Sequence, residues 1–351
     1  MQYPELAGYG LAGHTDSPRD VVAEARLAEE IGLGSLFLSE RFNVKDAGVT
    51  ERLGIATAAT NHVTRHPLVT ATMATTAHRM SAGRYALGLG RGFDVLFDLM
   101  GLPRITSAQM EDAIGIYRRL WRGESVVGHE GSAGSYPYLH QDAAFDERIP
   151  VLMMAIGDRS LELAGRVADG VVLHTFLTDE ALARMVRVIR DSAECAGRDP
   201  ASVRVWSVLA TVEDSIDEQA RLRKLVGRLA TYLQGYGQVL VKANGWDPAV
   251  FRRFREDAFV TGYGGAFDAI GTTDDLQQLA DRLLPAEWLA ASATGSPQQC
   301  AARIQDQLDA GADSVVLHGA TPSELRPVVE AWAPLRPSVL DALPANPGWM
   351  S

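Results

Sequence analysis

Eight short, nearly continuous apolar runs recur along the chain, each bounded by turn residues and most followed by a helical pattern. They centre near residues 9, 36, 55, 86, 152, 171, 205 and 315. A strand without alternating polarity has both faces covered, as in a parallel sheet wrapped in helices. Eight βα units in sequence describe an α/β fold of the (β/α)8 TIM-barrel type, roughly 250 residues before insertions. A doubly wound open sheet is the other arrangement the alternation allows.

Local signals agree with this reading. In "SPRDVVAEARLAEEIGLG" (17–34), Ser17 suits a helix N-cap, Pro18 the first helical position and Gly32 the stop, with Val21, Ala25, Ala28 and Ile31 on one stripe. Helices are expected over 66–81, 107–123, 158–169, 178–197 and 296–311, and "GIATAATN" (54–61) and "RYALGLGRG" (84–92) read as strands. Ile114, Tyr117, Leu120 and Trp121 share one side of their helix. The chain has 351 residues, more than a bare barrel needs, and the excess falls in a polar loop at 123–149 and a mostly helical stretch at 213–295. That stretch holds the Gly/Tyr-rich "YLQGYGQVLVKANGW". One barrel domain over 1–340 with these insertions, and a tail at 341–351, is the expected organisation.

The formal net charge of −11 opposes a nucleic-acid or anionic-membrane partner, while leaving room for a local basic pocket. No apolar run is long enough to span a bilayer, and the start "MQYPELAGYG" has no signal-peptide pattern. Cys195 and Cys300 lack metal or disulfide spacing, which fits a reducing cytoplasm.

"GRYALGLGRG" (83–92) invites a dinucleotide-fingerprint reading. That motif needs GxGxxG after the first strand. Here the spacing is GxGxG in the fourth strand, and Asp112 lies in a helical pattern rather than at a strand end. Two readings remain for Gly88, Gly90 and Gly92: tight packing, or a site at the C-terminal mouth of the barrel where Gly90, Arg91 and Gly92 meet a flat ring or an anion. "AIGDRS" likewise reads as a plain helix start or as a phosphate site, with Ala155 and Ile156 ending a strand and Gly157 opening a helix. Arg159 and Ser160 add donors; Asp158 opposes an anion unless it caps the helix.

Taken in order, "FLSERF", "ATAATNHVTRHP", "GLGRGFD", "AIGDRSLELAGRVADGVVLHT" and "GADSVVLHG" resemble the luciferase-like monooxygenase superfamily, in particular its coenzyme F420-dependent (deazaflavin) oxidoreductase branch. The resemblance covers nearly the whole chain and is weakest over 123–149 and 213–290. It implies a barrel with a deazaflavin or flavin across the strand ends. It places a non-prolyl cis peptide at Ala58-Ala59, followed by Thr60 and Asn61, behind the ring. It assigns "AIGDRS" to the cofactor phosphate, and His174 and Thr175 to positions flanking the same group. A homodimer is expected from the resemblance alone.

The proton-transfer group then belongs at a strand end over the ring, and Glu40 is the first candidate, with His14 and His318 as possible relays. Without the resemblance, "SER" is equally a surface turn, and a lone His is more often structural than catalytic. Sugar-phosphate dehydrogenases of the branch carry Asp-His where Ser39-Glu40 stands, and a glutamate where Phe93 stands, so their substrate does not carry over. Phe42 and Phe93 suggest an apolar substrate wall, though lone aromatics are more often simple packing, and Asp94 stands one residue past Phe93. His62 and His66 sit four apart, but Pro67 and the loop context weaken a metal pair, and no metal is expected. The expected activity is F420-dependent hydride transfer to or from a small organic substrate. The alternatives are an FMN-dependent monooxygenase of the same fold, or a cofactor-binding barrel without turnover.

Overall fold

A computed structural model describes residues 10–15, 20–38, 50–92, 94–141, 147–338 and 340. The elements run β1 (Gly10–Thr15), α1 (Val21–Glu30), β2 (Ser35–Leu38), β3 (Gly54–Thr57), α2 (Pro67–Met80), β4 (Tyr85–Leu89), α3 (Asp94–Leu99) and α4 (Ser107–Trp121). They continue with β5 (Val126–Gly131), β6 (Gly134–Leu139), β7 (Val151–Met154), α5 (Asp158–Val167), β8 (Gly170–Val172), α6 (Asp179–Cys195) and β9 (Arg204–Glu213). A helical insertion follows, with α7 (Glu218–Leu222), a π-helical turn (Arg223–Gly227), α8 (Arg228–Asn244), α9 (Pro248–Glu256), α10 (Ala258–Thr261), α11 (Phe267–Ile270), α12 (Thr273–Arg282) and α13 (Ala286–Leu289). The chain closes with β10 (Ala293–Gly295), α14 (Pro297–Asp309), β11 (Ser314–His318) and α15 (Pro322–Trp332).

Eight parallel strands pair in the order β9-β11-β1-β2-β3-β4-β7-β8, and β8 pairs back onto β9 to close a (β/α)8 TIM barrel. All eight apolar runs of the sequence are barrel strands. The barrel interior is a small cluster of its own: Ala12, Phe37, Ala56, Ala86, Leu152, Val172, Trp206 and Val316. Three of these eight are alanines, so Trp206 and Phe37 fill the space, edge to face with ring centroids 6.1 Å apart; such a pair adds about 0.5–1.5 kcal/mol beyond its burial. Arg204 lies at the opposite end of β9 from the mouth, 5.2 Å from the Trp206 ring, and donates to Ser314 Oγ at 2.8 Å. The larger core lies outside the sheet, beneath the helices.

Four local expectations change. The segment 123–149 contains an antiparallel hairpin, β5–β6, whose mostly exposed faces give no apolar alternation to read. Within 17–34 the helix is described from Val21, with Asp20 at the N-cap position, while Ser17 and Pro18 lie outside the described residues. The strand expected over 54–61 ends at Thr57, and that over 84–92 spans Tyr85–Leu89. The extra strand β10 extends β9 by pairing with Thr211–Glu213.

The insertion is tied to the barrel rim. Lys224 Nζ donates to Gly319 O at 2.8 Å and meets Glu324 at 3.0 Å, joining the π-helical turn to the end of β11. Arg228 pairs with Asp268 at 3.1 Å, both side chains nearly buried. Among the described residues, no helix is long and apolar enough to cross a membrane.

Candidate functional site at the barrel mouth

The C-terminal strand ends place the candidate residues. Beyond Thr57, β3 leaves the regular ladder: the Ala58-Ala59 peptide is cis, Thr60 N donates to Gly88 O at 2.9 Å, and Gly90 N donates to Thr60 O at 3.0 Å. Asn61 Nδ2 donates to Gly90 O at 2.6 Å, and Arg65 Nη1 donates to Thr60 Oγ1 at 2.9 Å. The displaced end of β3 is thus sewn onto β4.

This close approach explains the glycines. A Cβ on Gly88 would lie 1.7 Å from the Thr57 carbonyl oxygen, and one on Gly90 would lie 2.9 Å from Ala59 Cβ. Gly92 has φ +71°, and a Cβ there would lie 2.6 Å from Phe97. Gly88 and Gly90 share the inward parity of Ala86, so with Ala58 they make a floor of small residues inside the mouth, with Met154 beside it. Arg91 is exposed and its Nε donates to Ile105 O at 2.8 Å, which holds it against the segment leading to α4. Asp94 opens α3 and lies 3.7 Å from Arg104.

On the next two strands, Met154 is opposite Val172, so Ile156, Gly157, His174 and Thr175 leave the same stretch of rim. Ala155 N donates to Val172 O at 3.1 Å. Gly157 caps α5 without any side-chain capping bond. Asp158 is not the cap: it pairs with Arg184 at 3.1 Å and Lys242 at 3.7 Å. Two cations therefore offset its charge beside the helix start, and Arg159 stands exposed next to it. Thr175 is 2% exposed, and its Oγ1 has no hydrogen-bond partner among the described residues.

His174 follows the inward parity of Val172. Its Nδ1 lies 2.9 Å from Thr175 O, an acceptor only, so Nδ1 carries the proton. Nε2 is then the acceptor of the Tyr236 hydroxyl. Burial pushes the imidazole down to about 4, so it is neutral near pH 7. His318, 7% exposed, ends β11 on the inward parity of Val316. The His14 backbone pairs with Phe37 at the end of β1. Ser39, Glu40, Phe42 and Phe93 lie outside the described residues.

His62 and His66 have separate tasks. His62 is buried beyond Asn61, and that burial lowers its pKa. His66 Nδ1 accepts from Leu68 N at 3.3 Å at the start of α2.

Residues 4–314 match the model of the luciferase-like monooxygenase family. The chain belongs to this family. Among its relatives is a 5,10-methylenetetrahydromethanopterin reductase from Methanolobus tindarius, 30% identical over 83% of this chain and 87% of the relative. Another is an F420-dependent glucose-6-phosphate dehydrogenase from Amycolatopsis mediterranei, 24% identical over 89% of this chain and 92% of the relative. The fold matches the solved coenzyme F420-dependent tetrahydromethanopterin reductase of Methanopyrus kandleri with a TM-score of 0.76, covering 94% of this chain and 99% of that one, at 21% identity.

Two residues at this family barrel's rim escaped the sequence reading: Tyr232 and Tyr236, whose rings lie 4.8 and 4.9 Å from His174. Their signal was the "YLQGYGQ" cluster, a tyrosine between two glycines inside a helical stretch.

Proposed function

We propose that this chain is a coenzyme F420-dependent oxidoreductase, transferring a hydride between the deazaflavin and a small organic substrate. The observation that carries this reading is the run of small residues, Ala58, Ala59, Gly88 and Gly90, where β3 and β4 end at the barrel mouth, which leaves no large side chain there to stand over a flat ring. The F420-dependent activities named for its relatives support the same cofactor.

The residues fit the group. Met154 lies beside the small-residue floor. The open amide end of α5 and the buried Thr175 hydroxyl suit the phosphate, with Asp158 neutralised by Arg184 and Lys242. Bound there, the deazaflavin supplies or accepts the hydride. The protein's part is to orient the ring, keep water from its back face and hold a proton near the substrate. His318 on the inner face of β11, His14 in β1 and Glu40, two residues past β2 in the sequence, are proposed as proton carriers, and Phe42, Phe93 and Asp94 are proposed for the substrate side.

Two free thiols, exposed Cys195 and buried Cys300, support a cytoplasmic setting. Val69, Met73 and Met80, exposed along α2, support a homodimer, which sedimentation would test.

The cofactor is tested by titrating the protein with F420 and with FMN and following fluorescence quenching. F420 binding without FMN binding is the expected result. FMN binding alone would replace this reading with that of a flavin monooxygenase, and binding of neither would remove both.

A further inference from the structure

The last turn of the insertion helix α8 reaches back to the anion end of the mouth. The helix kinks at Tyr236, with φ −152° and ψ 32°, between Gly235 and Gly237, and then runs on to Asn244. Gly245, at φ +66°, ends it in the left-handed conformation. Ala243 O accepts from Arg184 Nη2 at 3.3 Å, and the same guanidinium meets Asp158 at the first position of α5. The Asn244 side chain crosses to the segment between β8 and α6. Its Nδ2 donates to Phe176 O at 2.8 Å, and its Oδ1 accepts from Thr178 N at 2.9 Å. Nδ2 also donates to Leu240 O at 3.2 Å, which steadies the amide against its own helix.

Chemistry sets the orientation of this amide. A carbonyl oxygen only accepts and a backbone N–H only donates, so Phe176 takes the NH2 and Thr178 the oxygen. The segment needs both partners. Phe176 has φ +59°, a left-handed conformation that a residue with a side chain holds only where its surroundings impose it. Its ring is fully buried and lies edge-on to Tyr232 of α8, with centroids 6.2 Å apart. Thr178 is the N-cap of α6, and its hydroxyl accepts from Ala181 N at 3.2 Å. In α4, α12, α14 and α15 the third helical residue is a Gln, Asp or Glu that reaches back to the N–H of the cap. Ala181 stands at that position in α6 and has no acceptor to offer. Asn244, 66 residues further along the chain, supplies it.

This segment carries Thr175. It directly precedes Phe176 and is 2% exposed, and its Oγ1 has no hydrogen-bond partner among the described residues. A hydroxyl buried in this way is satisfied by a bound molecule. The φ of Phe176 sets the path from Thr175 to the anchored Thr178. It thereby sets where the hydroxyl sits relative to the open amides of α5.

We infer that Asn244 is a positioning residue for the phosphate of the cofactor: by holding Phe176 and Thr178 it sets the Thr175 hydroxyl at the anion end. This rests on the deazaflavin reading above. The insertion, and not the barrel alone, then shapes the anion end.

The test is equilibrium binding, read by fluorescence, with two probes: F420 and the phosphate-free deazaflavin that keeps the polyol. The wild-type protein should prefer F420. Asn244→Leu keeps the size of the side chain and removes its donor and acceptor. It should weaken F420 binding about three- to tenfold, the scale of one neutral hydrogen bond, and leave the phosphate-free probe unchanged. In protein already carrying Thr175→Val, Asn244→Leu should weaken F420 no further, because Asn244 acts through Thr175. Equal loss on both probes, loss on neither, or the same added loss alongside Thr175→Val overturns the inference. Should Asn244→Leu fail to fold, amide hydrogen exchange of the wild type decides: the Thr178 N–H should be protected, and should slow further with F420 but not with the phosphate-free probe. Exchange that F420 leaves unchanged overturns the inference. Wild-type protein that binds neither probe overturns the deazaflavin reading. Wild-type protein that binds both equally overturns the anion end at Thr175, and this inference with it.

Discussion

Thr57 and Gly88 are bonded to each other twice through one hydroxyl. Thr57 Oγ1 accepts from Gly88 N at 2.8 Å and donates to Gly88 O at 2.9 Å. One side chain thus fastens β3 to β4 directly beneath the Ala58-Ala59 step. Thr57→Val keeps the shape and removes both bonds, leaving a part-buried amide without this partner. It should destabilise the protein by about 1–3 kcal/mol in urea unfolding and weaken F420 binding. Thr57→Ser should retain most of both.

Two glycine-to-alanine changes should act in opposite directions. At Gly88 the new Cβ would fall 1.7 Å from a backbone oxygen, so the strands must part. Overpacking of this kind costs about 1–3 kcal/mol, and often more when backbone must move. Gly115, on the exposed side of α4, has nothing within 4 Å of a Cβ. Gly115→Ala should stabilise by about 0.5–1 kcal/mol, through helix propensity and a less free unfolded chain. Thermal unfolding of the two variants would separate these outcomes.

Acid should unfold the protein through His174. Unfolded, this imidazole takes up its proton near 6.5; folded, only near about 4, because it is buried. Between these values the unfolded chain holds more protons, so stability is full above about pH 6.5 and falls as pH drops towards 4. The loss is on the order of 2–3 kcal/mol from this group. His62, also lowered by burial, adds in the same direction. Unfolding free energies measured from about pH 7 to 4.5 should decline, and His174→Gln should flatten the decline. A variant with the wild-type slope would contradict this role.

The barrel was legible because buried parallel strands are written as plain apolar runs between helix signals. Its small-residue floor was legible in part: "GLGRG" revealed a need for glycine, but not that Thr57 O and Ala59 were what demanded it. That demand comes from a neighbouring strand, which no local pattern encodes. The hairpin β5–β6 was missed because exposed strands carry no burial signal. Tyr236 was missed because its role depends on a kink that brings two segments 62 residues apart into contact. Arg91 carried a local charge signal, yet its Nε bond runs to Ile105 O, a backbone atom invisible to side-chain reasoning.

Arg228 and Asp268 should matter more than their surface counterparts. Their side chains are only 11% and 12% exposed, and Thr231 Oγ1 donates to Asp268 Oδ1 at 2.9 Å. Removing one partner of such a pair leaves a buried charge uncompensated, at about 3–5 kcal/mol. Asp268→Ala should therefore loosen the insertion and speed its proteolysis. Replacing both residues, Arg228→Met with Asp268→Leu, should recover most of the loss. Limited proteolysis of the single and double variants would check this order.

A structure of the protein bound to coenzyme F420 tests the central claim most directly. The expected result is a deazaflavin ring lying against Ala58, Ala59, Gly88 and Gly90, with its phosphate at the start of α5 beside Thr175. A ring bound elsewhere, or a phosphate held away from α5 and Thr175, would contradict it.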